Sequence, residues 1–206
     1  FQDCADLKST FIPDSVSKIG EWAFRGCYGL KRINVSSGNK VYDSRDSCNA
    51  IIEKETNTLI LGCYATVIPD SVTEIGARAF EVCSGLSSIV IPDNVTKISC
   101  AAFKECTELT SIVIHDSLIQ IGIRAFEGCS GLTSIVIPDS VTEIGAWAFL
   151  GCSGLTSIVI SDSVTKIDHA AFSGCSGLTG IVIPDSVTKI GREAFYECPG
   201  LNSIVI

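Results

Sequence analysis

One spacing constrains the fold of this chain more than any other feature: the same residue types recur every 23 positions. A phenylalanine and, three residues later, a cysteine repeat at this interval along most of the chain. The pairs are Phe1 and Cys4, Phe24 and Cys27, Phe80 and Cys83, Phe103 and Cys106, Phe126 and Cys129, Phe149 and Cys152, Phe172 and Cys175, and Phe195 and Cys198. A fixed period of this length is typical of a stacked repeat protein, in which each unit contacts its neighbours.

The first half of each unit has the pattern of two short strands. In the unit that starts at Cys129, residues 132–137 alternate apolar and outward-facing positions and are rich in β-branched types, which predicts a strand. Residues 138–140 (Pro-Asp-Ser) supply a turn that ends it. Residues 141–144 alternate again, which predicts a second short strand on the opposite side of the unit.

The second half of the unit has a different pattern. Gly145 permits a bend, and the spacing from Ala148 to Cys152 predicts one helical turn. A single unit cannot bury its own leucine, isoleucine, alanine, phenylalanine and cysteine, whereas stacked units bury them against each other. Burial of each large apolar side chain contributes roughly 1.5–3 kcal/mol. The sequence therefore predicts a β-rich α/β solenoid.

The period is interrupted once. Val35 and Ile68 hold the same strand position but lie 33 residues apart rather than 23. Two apolar segments, residues 49–53 and 58–62, flank the polar residues 54–57, a pattern that predicts a β-hairpin. The solenoid is expected to continue through this irregular unit with a local bulge or protrusion.

The chain is predicted to form one solenoid domain over residues 1–206. It comprises regular repeats at 1–35, the irregular hairpin unit at 36–68 and regular repeats at 69–206. Phe1 falls at the repeated phenylalanine position and Ile206 at the end of a strand. Because terminal repeats normally carry a polar outer face, a segment of a longer protein is expected.

The phrase Cys-Ser-Gly-Leu-Thr-Ser-Ile-Val-Ile-Pro-Asp-Ser-Val-Thr-Glu-Ile-Gly, residues 129–145, resembles the signature of BspA-type leucine-rich repeats, also called the Treponema pallidum type. The resemblance covers nearly the whole chain, and residues 48–53 look like an insert seen in such proteins. It implies a curved leucine-rich repeat solenoid. It also implies a cell-surface or secreted protein linked to adhesion, and it carries no shared catalytic residue.

Charge and hydropathy exclude some partners. The net charge is −8 and the pI about 4.7, which opposes the basic surface that nucleic-acid binding needs and leaves no basic patch for anionic membranes. No apolar run approaches the ~20 residues of a membrane span. We therefore expect neither nucleic-acid binding nor membrane insertion.

A column of outward-facing strand residues is the candidate binding face. By the two-residue period of a strand, the residue between two inward isoleucines points outward, and aligned units would form an unbroken apolar column. Exposed apolar patches usually mark contact surfaces, but valine also suits an exposed strand by propensity alone. The column comprises Phe11, Asn34, Val67, Val90, Val113, Val136, Val159, Val182 and Val205, flanked by Ser88, Ser111, Ser134, Ser157 and Ser203.

The chain has 11 cysteines, which invites a disulfide framework. Those that share the repeated core position are predicted to be free buried thiols, because their side chains are aimed in parallel. Cys48 and Cys63 lie off that position. If the hairpin turn centres on Glu55 and Thr56, the two face each other, which suggests a possible cross-strand disulfide.

No catalytic, metal or cofactor site is predicted. His115 and His169 fall in different loops more than two units apart, and no nucleophile, base and acid can be assembled on one face. No Cys-x-x-Cys pair suggests zinc. The repeated aspartates after proline are assigned to turn formation, with Ca²⁺ binding as the alternative.

Three functional hypotheses follow. The first is a non-catalytic module that binds an extracellular-matrix or cell-surface protein through the exposed strand face. The second is a structural spacer that displays other domains, which the uniformity of the units favours. The third is an intracellular protein-recognition scaffold. The oligomeric state is left open.

Overall fold

A computed structural model describes residues 1–20 and 22–205. Glu21 and Ile206 are outside these residues, and so is the predicted strand end at Ile206. The chain winds through successive turns of a β-rich solenoid, and the predicted fold class is confirmed. Each of the five units from Cys83 to Glu197 contributes one strand to each of two ladders.

The first ladder holds the candidate binding face. Its strands are parallel and pair in register, but they form separate two-stranded sheets rather than one continuous sheet. The pairs are β1 (Ser9–Ile12) with β2 (Arg32–Val35), β7 (Ser88–Val90) with β9 (Ser111–Val113), β11 (Ser134–Val136) with β13 (Ser157–Val159), and β15 (Gly180–Val182) with β17 (Ser203–Val205).

The second ladder forms one nine-stranded sheet along the opposite side. The irregular unit enters this sheet through an antiparallel hairpin, whose second strand pairs in parallel with the first regular strand. The strands are β3 (Tyr42–Asp43), β4 (Ile51–Glu53), β5 (Thr58–Leu61), β6 (Glu74–Ile75), β8 (Lys97–Ile98), β10 (Gln120–Ile121), β12 (Glu143–Ile144), β14 (Lys166–Ile167) and β16 (Lys189–Ile190). The predicted hairpin is confirmed.

The predicted helical turn is wrong. Residues 145–152 and their equivalents, here called the turn segment, are a series of tight turns, and among the described residues the only helix is a short 3-10 helix at Arg45–Ser47. Trp147 has a φ of +56° and Gly151 a φ of +70°. Two left-handed residues within one such segment are incompatible with a right-handed helix.

Hydrogen bonding explains why the turn segment is not helical. The N–H groups of Ala148, Leu150 and Cys152 each donate to the carbonyl three residues earlier, at 3.1–3.2 Å. The intervening N–H groups, those of Trp147, Phe149 and Gly151, instead donate to carbonyls of the next unit at 2.9, 2.8 and 2.7 Å. In a helix the N–H groups of Phe149 and Gly151 would bond to carbonyls four residues earlier and could not join neighbouring units.

Gly145 serves close packing. A Cβ atom at this position would lie 2.9 Å from the carbonyl oxygen of Ile121 and 3.1 Å from backbone atoms of Gly122 in the preceding unit. The glycine therefore lets neighbouring backbones approach, and the glycines of the turn segments that carry a positive φ are Gly26, Gly128, Gly151 and Gly174.

The core is built from stacked identical side chains. The rings of Phe80, Phe103, Phe126, Phe149, Phe172 and Phe195 lie 5.0–5.5 Å apart between successive centroids, with planes within 8° of parallel. Leucine, isoleucine, valine and alanine columns surround them in one continuous cluster. A second, smaller cluster holds the core residues of the N-terminal units. The two clusters meet at the irregular unit.

The repeated cysteines line this core as free thiols. The Sγ atoms of Cys106, Cys129, Cys152 and Cys175 each donate to the carbonyl of the phenylalanine one unit earlier, at 3.0–3.2 Å. Burial raises the pKa of Cys129 and of Cys175 to about 12. Not every member is buried: Cys4 is exposed, and Cys83 and Cys198 are half-buried.

The suggested disulfide between Cys48 and Cys63 is not formed, and both side chains are buried free thiols. Glu53 pairs with Thr58 and Ile52 with Leu59, as predicted, but a bulge then shifts the register so that Ile51 pairs with Leu61. A one-residue shift turns a side chain to the other face of a strand. Cys48 consequently packs in the main cluster and Cys63 in the N-terminal one.

We expect Phe126→Ala to lower the free energy of unfolding by about 3–5 kcal/mol, because it opens a cavity in a fully buried ring stack. Phe11→Ala is the matched control, since that ring is 62% exposed, and its effect should stay within about 0.5 kcal/mol. Urea unfolding followed by circular dichroism measures both. Equal losses for the two variants would contradict a core built on the phenylalanine stack.

We also expect the buried thiols to make stability fall in alkaline solution. Burial raises the pKa of Cys129 to about 12 from an ordinary value of 9.0. Below pH 9 the thiol is protonated in both states. Between the two values only the unfolded chain loses the proton, so the free energy of unfolding falls by about 1.4 kcal/mol per pH unit for each such thiol.

The measurement compares urea unfolding at pH 8 and pH 10 in the presence of a reductant. The unmodified chain should lose about 1.4 kcal/mol more than Cys129→Ala between these pH values. Cys4→Ala removes an exposed thiol and should follow the unmodified chain. An identical pH dependence in Cys129→Ala and the unmodified chain would count against this assignment.

Candidate functional site

The predicted binding face is exposed. Val136 is 62% exposed and Val159 is 59% exposed, whereas the isoleucine before each of them is at most 9% exposed. The same orientation holds for Phe11, Asn34, Val67, Val90, Val113 and Val182, and for the flanking Ser88, Ser111, Ser134 and Ser157. These residues, with Val205 and Ser203, are called the strand face below. Exposure alone does not test whether these residues bind a partner, so their role as a binding site stays a prediction.

The strand face is aligned from unit to unit. Ser134 pairs with Ser157, and Val136 pairs with Val159, so like side chains lie side by side. At the C-terminal end the serine column is interrupted, because Gly180 pairs with Ser203. Hydrogen-bonded strands on this face occur in pairs, and between the pairs β9 contacts β11 and β13 contacts β15.

A groove of about 590 Å³ opens on this face between the units of Val67 and Val90. Val67 lies outside the strands and is 74% exposed. Asp70, Asp93 and His115 line one side, and His115 Nδ1 lies 3.1 Å from Asp93 Oδ1. The sequence reasoning missed this groove. The signal available was the replacement of the usual proline by His115.

The structure does not bring the two histidines together. His115 pairs with Asp93 beside the strand face, whereas His169 lies on the turn side, where its Nδ1 is 2.8 Å from the carbonyl oxygen of Arg192. The ring of Trp147 contacts His169 edge-on at 4.9 Å. The expectation that the chain is not an enzyme stays a prediction.

The repeated aspartates are not gathered into a cluster of ligands. Within residues 1–20 and 22–205, no group of three or more histidine, cysteine or acidic side chains is arranged to hold a metal ion. The turns close through backbone bonds, as from Val141 N–H to the Pro138 carbonyl at 3.0 Å, rather than through the aspartate side chains. Asp139 instead accepts a hydrogen bond from the Ser161 hydroxyl at 2.6 Å.

No helix in the described part of the chain has the length and apolar character needed to cross a membrane.

Comparison with solved structures finds repeat proteins of bacteria. A leucine-rich cell surface protein from Faecalibacterium prausnitzii is 32% identical, and the match covers 97% of this chain and 48% of that protein, with a TM-score of 0.73. A leucine-rich repeat protein from Bacteroides ovatus is 28% identical, with coverages of 99% and 56% and a TM-score of 0.70. The chain thus spans about half the length of these proteins.

A leucine-rich repeat protein from Treponema pallidum is 35% identical, with 57% of each chain covered and a TM-score of 0.56. Comparison with curated protein sequences yields no match. A profile of the BspA type leucine-rich repeat region, present in six copies, matches residues 1–56, 62–176 and 96–206. The chain therefore belongs to the BspA-type leucine-rich repeat family.

Proposed function

We propose that this chain is a non-catalytic protein-binding module of a surface or secreted protein. It contacts an extracellular-matrix or cell-surface protein through the strand face. The observation that carries the proposal is the row of outward valines, 48–74% exposed from Val67 to Val182. Monomeric proteins rarely expose long contiguous apolar patches, and those that exist usually mark contact surfaces.

The chemistry of the strand face suits a protein partner. From Ser88 to Val159 its strands have the same sequence, Ser-Ile-Val, with the serine and the valine pointing outward. This part of the face therefore offers apolar contact and hydroxyl hydrogen bonds without charge. Since the chain carries a net charge of −8, an uncharged strip is the part of its surface best suited to close contact with another protein.

Selectivity would come from the places where the units differ. Phe11 and Asn34 replace valine near the N-terminus, and the groove between Val67 and Val90 adds Asp70 and His115. Concave, partly apolar features with a few polar groups are the usual anchor points of an interface. The surface location of the Faecalibacterium relative supports an extracellular setting.

The test replaces two neighbouring valines with opposite charges. Val136→Glu combined with Val159→Lys should lower binding to a panel of immobilised extracellular-matrix proteins by at least about 10-fold, because it buries a charged pair at the centre of the contact. The two substitutions leave the net charge unchanged. Surface plasmon resonance measures binding, and urea unfolding verifies the fold.

The matched control places the same charges on another exposed surface. Ile119 is 60% exposed and Ile123 is 49% exposed, and both lie outside the strand face. Ile119→Glu combined with Ile123→Lys should leave binding unchanged. Equal binding by all three proteins would exclude the strand face. Failure of the unmodified chain to bind any matrix protein would contradict the adhesion proposal.

The second candidate function is a spacer that displays other domains. The near identity of successive units, as in the paired strands Ser134–Val136 and Ser157–Val159, favours it. A spacer needs a stable stack but no selective surface. If Val136→Glu combined with Val159→Lys leaves binding to the matrix proteins unchanged, that result would therefore support this alternative.

A further inference from the structure

The irregular unit leaves one turn segment out of the stack. Leu59 pairs with Ile75, and Ile68 holds the position of Ile91 one repeat later. In the regular unit, residues 76–90 connect these two positions. In the irregular unit, the shorter segment 60–67 makes the same connection. The second ladder continues through β5, but the turn side of the solenoid lacks a layer at this point.

A cavity of about 370 Å³ occupies the place of the missing layer. Its walls are the turn segments of the flanking units, and its floor is the end of β5. The two walls contact each other at two points. The Ser84 hydroxyl donates to the Tyr28 carbonyl at 3.2 Å, and the Arg78 guanidinium lies over the Trp22 ring at 5.5 Å.

The interior of the cavity is apolar and incompletely covered. Phe24, Ile60 and Leu61 line it and are half-buried, whereas the stacked phenylalanines of the regular units from Phe80 to Phe172 are at most 1% exposed. At the back, Gly62 donates its N–H to the Ala79 carbonyl at 2.8 Å. A Cβ on Gly62 would collide with the ring of Phe80, so the backbone alone covers that ring.

Two backbone acceptors remain open at the cavity wall. In the regular stack the carbonyls of Cys100 and Lys104 accept hydrogen bonds from Arg78 and Val82 of the preceding unit at 3.0 and 2.7 Å. Their equivalents at the cavity, the carbonyls of Ala77 and Glu81, accept none from the residues that the structure describes. Ala77 is exposed and Glu81 is half-buried, so the N–H or O–H group of a ligand can reach these carbonyls, and a hydrogen bond there would stabilise the complex.

The carboxylates that line the cavity are paired. Arg78 pairs with Glu81 at 3.4 Å, and Glu74 is held by Lys97 at 3.0 Å and by the Ser99 hydroxyl at 2.6 Å. These carboxylates are therefore already neutralised. A cationic ligand would have to displace one of these ion pairs, and the open carbonyl acceptors of Ala77 and Glu81 disfavour an anion.

We propose that this cavity binds a small neutral molecule that has an apolar ring and an N–H or O–H donor. The ring would lie on Ile60 and Leu61, and the donor would reach the carbonyl of Ala77 or Glu81. At ~30 Å³ per water, a volume of about 370 Å³ admits a ligand of about a dozen non-hydrogen atoms. Pockets of this size and character are the usual form of small-molecule sites.

Indole is a suitable probe because it is a neutral ring with one N–H donor. Titration followed by NMR should show saturable binding at the cavity. 3-Methylindole keeps the donor and should bind as well as indole. 1-Methylindole has the same size but no donor, and its binding should be about 2- to 10-fold weaker, the factor expected for one hydrogen bond.

Ile60→Trp fills the cavity and should abolish indole binding. Ile123→Trp makes the same substitution at a 49% exposed position and should leave binding unchanged. If Ile60→Trp does not fold, Ala23→Leu on the opposite wall replaces it. Equal binding of the two methylindoles, full binding by a folded filled variant, or no saturation by indole at millimolar concentration would each overturn the proposal.

Discussion

The hydrogen bonds that alternate N–H groups of each turn segment donate to the next unit are the interaction on which the rest of this structure depends. They require the donor nitrogen and acceptor oxygen of neighbouring backbones to lie 2.6–3.0 Å apart. At that distance only small groups fit between units, so alanine precedes each phenylalanine and the rings are forced into a parallel stack. The cysteine thiols extend the same network by bonding to the phenylalanine carbonyls.

The same constraint limits where the protein can vary. A core position that changes size disturbs its own unit and both neighbours, because the side chains are packed in columns. Outward positions such as Val136 and Ser134 are exposed to solvent and do not pack in the core columns. Differences between units are therefore tolerated on the strand face and in the irregular unit. These are the two regions to which we assign binding.

The irregular unit shows how the solenoid tolerates an interruption. The hairpin keeps the second ladder continuous by pairing β5 with β6. The turn side lacks one layer of hydrogen bonds at this point, and the core separates into two clusters. The bulge between Ile51 and Ile52 directs Cys48 and Cys63 into different clusters. The irregular unit thus accounts for the separate environments of the Cys48 and Cys63 thiols, for the divided core and for the cavity.

The sequence by itself determined the repeat length, the two strand positions, the hairpin and the outward column, because each depends on a local periodicity of apolar residues. Only the tertiary structure decided the rest. The turn segment has the spacing of a helix, but its N–H groups are needed by the next unit, as the bond from Phe149 to Ala171 illustrates. The hairpin register, and with it the environment of Cys63, depends on a bulge that no pattern marks. The cavity exists because a layer is missing, and which neighbours then face each other is a property of the stack.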